Sequence, residues 1–212
     1  MFYDPRKNLR PRPLTHNPLN ALVAPRPIGW IGSLSAAGEE NLAPFSYFNA
    51  FSADPPVVAF APNSKQGDGG PKDTLANVRA VPEFTASIVS EPLAQRMNET
   101  SRVLAHGVSE FAAAGLTAAP STSVRPPHVG EALAVLECQV FDIIALPSPA
   151  RGRGSHLVIG EVVGIHIDDG LIVDGKVNTL GLRQVARLGY FDYTVVRELI
   201  VIPRPGGAIE RQ

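Results

Sequence analysis

Lys72, Asp73 and Thr74 place a cation, a carboxylate and a hydroxyl at the predicted start of a helix. The first residues of a helix carry unpaired backbone N–H groups and a partial positive charge, which together favour a bound phosphate. The Lys72 ammonium and the Thr74 hydroxyl would add a full charge and a further donor. The same residue types also fit a solvated lysine followed by an ordinary N-cap at Asp73 or Thr74. Spacing alone leaves phosphate binding and simple capping both open.

Before this junction, aromatic residues alternate with small polar residues between positions 43 and 52. The alternation predicts a half-buried strand over 43–52. Asp54-Pro55-Pro56 interrupts the pattern because proline fixes φ and lacks a backbone N–H. The apolar run 57–61 then predicts a second, buried strand. The aromatic residues either line a ligand slot or fill the core, and because side chains alternate between faces, each face can do only one of these jobs.

The rest of the chain shows the same succession of apolar strand patterns with short helical patterns between them. This organisation predicts a mainly β barrel with helical excursions, not a series of βαβ units. The predicted strands are 21–35, 84–89, 132–146 and 156–167. The predicted helices are 74–80, 91–100, 110–114 and 179–190. A hairpin turn is predicted at 35–41 and a long loop at 117–130.

Length and proline content divide the chain into three parts. Residues 1–20 contain four prolines and several basic residues, which predicts an extended arm. Residues 21–200 are expected to form one domain, because 212 residues can bury a sizeable core without disulfides. Residues 201–212 are expected to form a loosely ordered tail.

The composition excludes several classes of function. The net charge of −1 gives no basic surface for nucleic acid or an anionic membrane. No segment has the length of a membrane helix, and the N-terminus lacks the apolar core of a signal peptide, so we expect a cytoplasmic protein. The single cysteine, Cys138, fits a reducing compartment. The five histidines are scattered without the paired spacing of a zinc site, and we expect no metal.

Six segments, taken together and in order, resemble one known family. They are APRPIGWIGSLS, NLAPFSYFNAFSADPPVVAFAPN, KDTLANV, ECQV, HLVIGEVVGI and VARLGYFDYTVV. The chain resembles the flavin reductase-like, FMN-binding split-barrel proteins over residues 14–197. The resemblance implies a mainly β fold, an FMN-binding split β-barrel with Greek-key-like connections and a few short inserted helices, and a homodimer.

The resemblance also implies a set of flavin-binding residues. Lys72, Asp73 and Thr74, with Ser46, are candidates for the phosphate and ribityl end, and Asn49 and Ser52 for the ribityl hydroxyls or the polar edge of the ring. Arg26 lies between two prolines and is a candidate for an anion, with a solvated arginine as the alternative. The remaining candidates around the ring are Trp30, Ser33, Leu34, Tyr47, Phe48, Arg187, Leu188, Gly189 and Tyr190. Tyr190 stands where the family often has a second glycine after Arg-Leu-Gly.

His156, which opens a predicted strand, is the candidate on the nicotinamide side. Reductases of this family often have a histidine here, although a lone histidine after a Gly/Arg loop is also common on surfaces. Arg151 and Arg153 would meet a dinucleotide phosphate or remain solvated. Hydride transfer from NADH or NADPH to FMN needs stacking and orientation more than a general base.

The predicted activity is therefore an NAD(P)H-dependent flavin oxidoreductase that delivers reduced flavin, or its electrons, to a monooxygenase or another acceptor protein. Two alternatives remain. One is an FMN-bound electron carrier of the flavoredoxin kind, reduced by a partner protein, which shares the whole flavin site. The other is a flavin-free relative with the same fold, and the presence of Ser46, Asn49 and Lys72-Asp73-Thr74 speaks against it.

Overall fold

The computed structural model describes residues 1–7, 10–62, 73–102, 104, 108–147, 154–203 and 205–206. The strands within these ranges are β1 (Arg26–Pro27), β2 (Gly29–Leu34), β3 (Glu40–Phe45), β4 (Phe48–Ala53), β5 (Pro56–Phe60), β6 (Glu83–Ile88), β7 (Ala118–Ala119), β8 (His128–Val129), β9 (Ala134–Ala145), β10 (His156–Ile167), β11 (Ile172–Val173), β12 (Lys176–Val177), β13 (Val185–Arg187) and β14 (Tyr193–Val195). The α-helices are α1 (Leu19–Leu22), α2 (Asp73–Ala80), α3 (Ala94–Glu99), α4 (Glu110–Ala113) and α5 (Thr179–Leu182), and 3-10 turns span Pro5–Lys7, Glu91–Leu93 and Asp169–Leu171.

Seven antiparallel strands form the main sheet in the order β3-β2-β6-β9-β10-β5-β4. The two edge strands, β3 and β4, follow each other in the chain and are joined only by Ser46 and Tyr47. The edges of the sheet must therefore converge at this junction, although β3 and β4 are not neighbours in the sheet. The result is a curled sheet that is open along the seam between β3 and β4. The mainly β prediction is confirmed.

Aromatic side chains fill the inside of the curled sheet. The rings of Phe45, Phe60 and Phe84 contact each other in sequence, with centroid separations of 5.1 and 5.2 Å. Leu75 and Val78 of α2 are buried in the same cluster, so α2 packs against the barrel interior. This packing explains why the short helix after the 63–72 segment lies against the sheet.

A second apolar cluster covers the outside of β2 and β3. Trp30 has no exposed surface there, and its indole N–H donates to Thr100 Oγ1 at 2.8 Å. Met97 of α3 and Phe111 of α4 pack in this cluster. The inserted helices therefore form a cover over the outer face of the sheet.

Two predicted strands are divided in the structure. The 43–52 pattern belongs to β3 and β4, and the break falls at Ser46–Tyr47, where the chain crosses from one edge of the sheet to the other. The Tyr47 carbonyl accepts from the Ala61 N–H at 2.8 Å at this crossing. The predicted strand 21–35 contains the end of α1 followed by β1 and β2.

The predicted helix 179–190 is wrong beyond its first turn. The Asn178 side chain caps the helix by accepting from the Gly181 N–H, and Arg183 ends it with φ 47°. Val185–Arg187 then forms β13, which pairs with both β1 and β14. The apolar spacing fits a helix face as well as a strand, and pairing with the distant Arg26–Pro27 decides the outcome.

Candidate functional site

A buried polar network fixes the first turn of α2 against the β2–β3 hairpin. Asn41 Nδ2 donates to Thr74 Oγ1 at 3.0 Å and to Ser33 Oγ at 3.3 Å. Asn77 Nδ2, one turn further along the helix, also donates to Ser33 Oγ at 3.1 Å. The network leaves Thr74 only 1 % exposed. The start of the helix is therefore held by amide and hydroxyl groups from three elements.

The residues at the start of α2 have different exposures. Asp73 is the first helical residue and is exposed. Lys72 lies outside the described residues, as do Arg151 and Arg153. A carboxylate carries the same sign of charge as a phosphate, so Asp73 suits an anion through its backbone N–H and not through its side chain.

Ser46 lies in a cleft of about 280 Å³ on the outer face of the sheet. Polar groups and apolar walls both line this cleft: Ile28, Pro44, Ser46, Met97, Asn98, Ser101, Arg187, Phe191 and Tyr193. One cation and several neutral donors beside apolar surface suit a planar heterocycle with a polar edge. The volume is near the lower limit of ligand pockets, so the cleft fits a ring-sized portion of a larger molecule.

The structure does not bring Ser46 together with Thr74, its predicted companion at the phosphate end. Asn41, which holds Thr74, lies five residues before Ser46 along β3 and its turn, or about 17 Å at the rise of a strand. Asn41 faces the side of the sheet that carries α2, whereas Ser46 faces the outer cleft. The sequence candidates therefore fall into two groups at opposite ends of an edge strand.

Arg26 ties the N-terminal segment to the 187–190 segment. It is 8 % exposed, and its guanidinium donates to the Asn20 carbonyl at 2.6 Å, to the Val23 carbonyl, and to the Leu188 carbonyl at 2.9 Å. The guanidinium also lies 5.7 Å from the centre of the Tyr47 ring. These contacts engage Arg26 with the protein's own groups, which leaves little of it for a ligand anion.

The 187–190 segment borders the cleft in a tightly fixed conformation. The Arg187 guanidinium donates to the Tyr190 carbonyl and the Tyr193 hydroxyl, and it lies 4.4 Å from the Tyr193 ring centre. A Cβ at Gly189 would come within 2.7 Å of Ala21 Cβ, so glycine permits the close approach of α1. Tyr190 adopts φ 56°.

The remaining ring candidates have very different surroundings. Phe48 is buried in the core beside Gly29, and Leu34 is half-buried at the end of β2. With Trp30 and Ser33 also buried, these side chains offer a ligand little surface. Three candidates around the seam are exposed: Tyr47, Asn49 and Ser52. The Tyr47 hydroxyl donates to Asn20 Oδ1 at 2.7 Å.

His156 opens β10 and contacts α2. The Arg79 guanidinium donates to His156 Nε2 at 2.8 Å. Burial and the adjacent Arg79 charge both lower the pKa of His156, so the neutral ring is favoured. With Nε2 accepting, the ring proton lies on Nδ1, which is buried and has no hydrogen-bond partner among the described residues. His156 therefore presents an unused donor.

Sequence reasoning missed several of these side chains. Asn41 lies inside a strand and Asn77 inside a helix, where an amide side chain usually needs a specific hydrogen-bond partner. Their positions in these apolar patterns could therefore have indicated a buried polar network. The contact of Arg79 could not be predicted from the sequence, because its partner His156 is 77 residues away. The cleft residues Asn98 and Tyr193 meet only through the fold.

The 117–130 segment lies away from His156. It covers the sheet at Glu137, whose partner on β10 is Gly164, eight residues or about 26 Å along the strand from His156. In the part of the chain that the structure describes, no cluster of three or more His, Cys, Asp or Glu side chains is arranged to hold a metal ion. No helix in the same ranges is long and apolar enough to cross a membrane.

Comparison with known proteins agrees with the fold and adds a family. The sequence profile described as flavin reductase like domain matches residues 22–185. An uncharacterized protein of Deinococcus radiodurans is 37 % identical over 187 residues, covering 84 % of this chain and 79 % of its own.

Two solved structures share the architecture. Nitrilotriacetate monooxygenase component B from Bacillus cereus is 30 % identical with a TM-score of 0.83, covering 92 % of this chain and 98 % of its own. A protein with a split barrel domain from Shewanella frigidimarina is 24 % identical with a TM-score of 0.77, covering 88 % of this chain and 89 % of its own. The curled sheet with its open seam is therefore a split barrel.

Proposed function

Because this chain belongs to the flavin reductase-like family, we propose that it is an FMN-binding oxidoreductase that takes hydride from NADH or NADPH. The match of the family profile to residues 22–185 carries this proposal. When bound, FMN would supply the two-electron chemistry, and the protein's contribution is to bind, orient and shield the reactants. We place this activity in the cytoplasm and assign the reduced flavin, or its electrons, to a monooxygenase or another acceptor protein.

The residues present fit the cofactor in two places. The start of α2 offers backbone N–H groups on a helix that Asn41 and Asn77 hold in position, with Lys72 next to it in sequence. The cleft offers apolar walls together with Ser46 and Arg187. We therefore assign the phosphate to Lys72, Asp73 and Thr74, and the ring to the cleft side. Tyr47, Asn49 and Ser52 remain candidates around the open seam.

On the nicotinamide side, His156 is proposed as a hydrogen-bond donor. Its Nδ1–H is buried without a partner among the described residues, and its Nε2 is occupied by Arg79. The lowered pKa favours the neutral ring at neutral pH, so His156 donates a hydrogen bond without supplying a proton. A carboxamide oxygen is the matching acceptor on a nicotinamide.

The test is anaerobic mixing of the purified protein with NADH and then NADPH, with and without added FMN, while the visible absorption of flavin is followed. Rapid bleaching supports the reductase, and a requirement for added FMN identifies FMN as a substrate that leaves. Bound flavin that neither nucleotide bleaches would replace the reductase by an electron carrier reduced by another protein. A protein with no affinity for FMN would refute the flavin site and leave the flavin-free alternative.

Lys72→Ala is the first variant for the phosphate site. Loss of a charged hydrogen bond should weaken FMN binding by about 1.5–3 kcal/mol, or about tenfold to a hundredfold. Lys176→Ala, on the exposed β11–β12 hairpin, removes the same charge elsewhere and should leave the affinity unchanged. Fluorescence titration with FMN measures both. Equal affinities for the wild type and Lys72→Ala would remove Lys72 from the site.

A further inference from the structure

Residues 120–129, hereafter the outer loop, are fastened to the sheet through a buried carboxylate. Glu137 on β9 has no exposed surface. Its carboxylate accepts from the Thr122 N–H at 2.8 Å and from the Ser123 N–H at 2.5 Å. It also accepts from His166 Nε2, on β10. A buried carboxylate with these donors is fully engaged only while the outer loop is seated.

The outer loop returns a second histidine to the same place. His128 on β8 stacks on His166 with ring centroids 4.9 Å apart and an interplanar angle of 30°. His128 Nδ1 is buried and has no hydrogen-bond partner among the described residues. In the imidazolium form both ring nitrogens carry protons, so Nδ1 would be a buried donor without an acceptor among the described residues, beside a ring whose Nε2 already donates to Glu137.

We propose that His128, His166 and Glu137 form an acid-sensitive latch that holds the outer loop on the sheet and releases it when His128 is protonated. The neutral His128 ring fits the stack, whereas the imidazolium is desolvated and faces His166. Opening of the outer loop exposes His128 to water, where the imidazolium is stable. Acid therefore favours the open form through His128 before it reaches Glu137.

The order of these two protonations follows from the surroundings of each group. Burial and the neighbouring His166 lower the pKa of His128 below its ordinary value, and the attraction of Glu137 only partly offsets this. Burial raises the pKa of Glu137, but hydrogen bonds from Thr122, His166 and Ser123 outweigh it and keep that pKa below its ordinary value. A group with a lowered pKa in the closed form favours closure above its ordinary pKa and loses this contribution as pH falls. For His128 the loss begins near pH 6.5.

The other charged groups near the latch are accounted for. Arg125 of the outer loop is paired with Glu83 on β6, and the distance from Arg125 Nε to Glu83 Oε2 is 2.9 Å. Cys138 lies next to Glu137 on β9 but is buried in the interior cluster, and burial followed by the Glu137 charge raises its pKa. From β10 the facing group is His166, and from β8 it is His128. Between pH 7.5 and 5.5, the protonation that opens the latch is assigned to His128, because its Nδ1 is buried without an acceptor among the described residues, whereas His166 Nε2 already donates to Glu137.

The outer loop seats directly on β2. The Pro127 carbonyl accepts from Thr85 Oγ1 at 2.8 Å, and a Cβ at Gly32 would come within 2.3 Å of the same oxygen. Gly32 precedes Ser33, which belongs to the polar network at α2 on the opposite face of the sheet. The latch thus holds the outer loop on the face of the sheet directly opposite that network.

Hydrogen exchange of the full-length protein at pH 7.5 and 5.5, corrected for the intrinsic pH dependence of amide exchange, tests the latch. Protection of residues 120–129 should fall by up to tenfold per pH unit below about 6.5, the limit for one linked proton. Residues 84–88 of β6 should keep their protection. Unchanged protection of 120–129 in the wild type would refute the latch, whether or not the protein reduces flavin.

Two variants separate the latch from general acid destabilisation. His128→Phe keeps a ring in the stack but cannot be protonated, so its outer loop should be equally protected at both pH values. His16→Phe changes a histidine that stacks on Tyr190 instead, and it should behave as the wild type. Glu137→Gln should lower protection at both pH values. A His128→Phe protein that still loses protection at pH 5.5 would overturn the assignment.

Discussion

Tyr190 departs from the family pattern at a position where the backbone has a left-handed conformation. The family resemblance predicts a glycine at this position, and here the residue has φ 56°, in the left-handed region. A residue with a Cβ is less stable there by about 1 kcal/mol, whereas glycine is not penalised. The Tyr190 ring packs edge-on against His16 at 5.2 Å, a contact that a glycine would lack.

We therefore predict that Tyr190→Gly is about 1 kcal/mol more stable than Tyr190→Ala, because both lose the ring and only alanine retains the strain. Urea denaturation of the two variants measures the difference. Phe191, which is 91 % exposed and has no positive φ, provides the matched pair. There the glycine variant should be no more stable than the alanine variant. An alanine at 190 that equals or exceeds glycine would contradict a strained backbone.

Arg26 acts as a structural clasp, and this predicts a large effect on stability. Arg26→Met should lower the free energy of unfolding by about 3 kcal/mol, because the carbonyls of Asn20, Val23 and Leu188 lose a charged donor. Arg26→Lys should recover only part of this, since an ammonium cannot reproduce the planar fork. Arg12→Met removes an exposed arginine from the arm and should change little. A similar small loss at both positions would exclude the clasp.

At the scale of elements, the contact between the outer loop and β2 depends on Gly32. A methyl group there would meet the Pro127 carbonyl and Thr85 Oγ1 at 2.3 and 2.4 Å, and a backbone oxygen cannot simply rotate away. We predict that Gly32→Ala lowers the free energy of unfolding by about 1–3 kcal/mol and makes residues 120–129 more sensitive to protease.

Gly154→Ala is the control for this prediction. Among the described residues its Cβ would meet only His156 Cε1 at 3.7 Å, which is ordinary contact, so stability and cleavage should be unchanged. Chemical denaturation and limited proteolysis give both readouts. A Gly32→Ala protein as stable and as resistant as the wild type would show that the loop can shift without cost.

The sequence predicted elements well where the pattern is long and local. The apolar run 132–146 and the strand opened by His156 correspond to β9 and β10, and Gly38 marks the hairpin between β2 and β3. β13 was missed because its strand partners are Arg26–Pro27, distant in sequence, and Tyr193–Val195. Short strands of this kind are defined by pairing and not by their own periodicity.

For the candidate site, residue types were predictable and their grouping was not. Thr74 was singled out as a helix start, but its partners Asn41 and Ser33 come from another part of the chain. The family resemblance assigned Ser46 to the same end. The inner and outer faces of β3 separate the two, and that separation follows from which side α2 packs on.

At the scale of the whole molecule, large apolar side chains remain exposed on the barrel. Phe51 is 65 % exposed on β4, Phe141 76 % on β9 and Ile165 59 % on β10. These strands are part of one continuous run of the sheet, β9-β10-β5-β4, and the barrel interior is already filled. Exposed apolar surface of this kind marks an interaction site. We propose that a second copy of the chain covers it, in a homodimer with two-fold symmetry.

This proposal predicts that Ile165→Glu converts the protein from a dimer to a monomer, because a carboxylate on each copy would be buried without a partner across the symmetric contact. Sedimentation equilibrium measures the mass directly. Val108→Glu changes an apolar side chain that is 48 % exposed but precedes α4 and lies outside these strands, so that variant should remain dimeric. Circular dichroism checks that both variants are folded. A wild-type protein that sediments as a monomer, or an Ile165→Glu protein that remains a dimer, would exclude this run of strands as the interface.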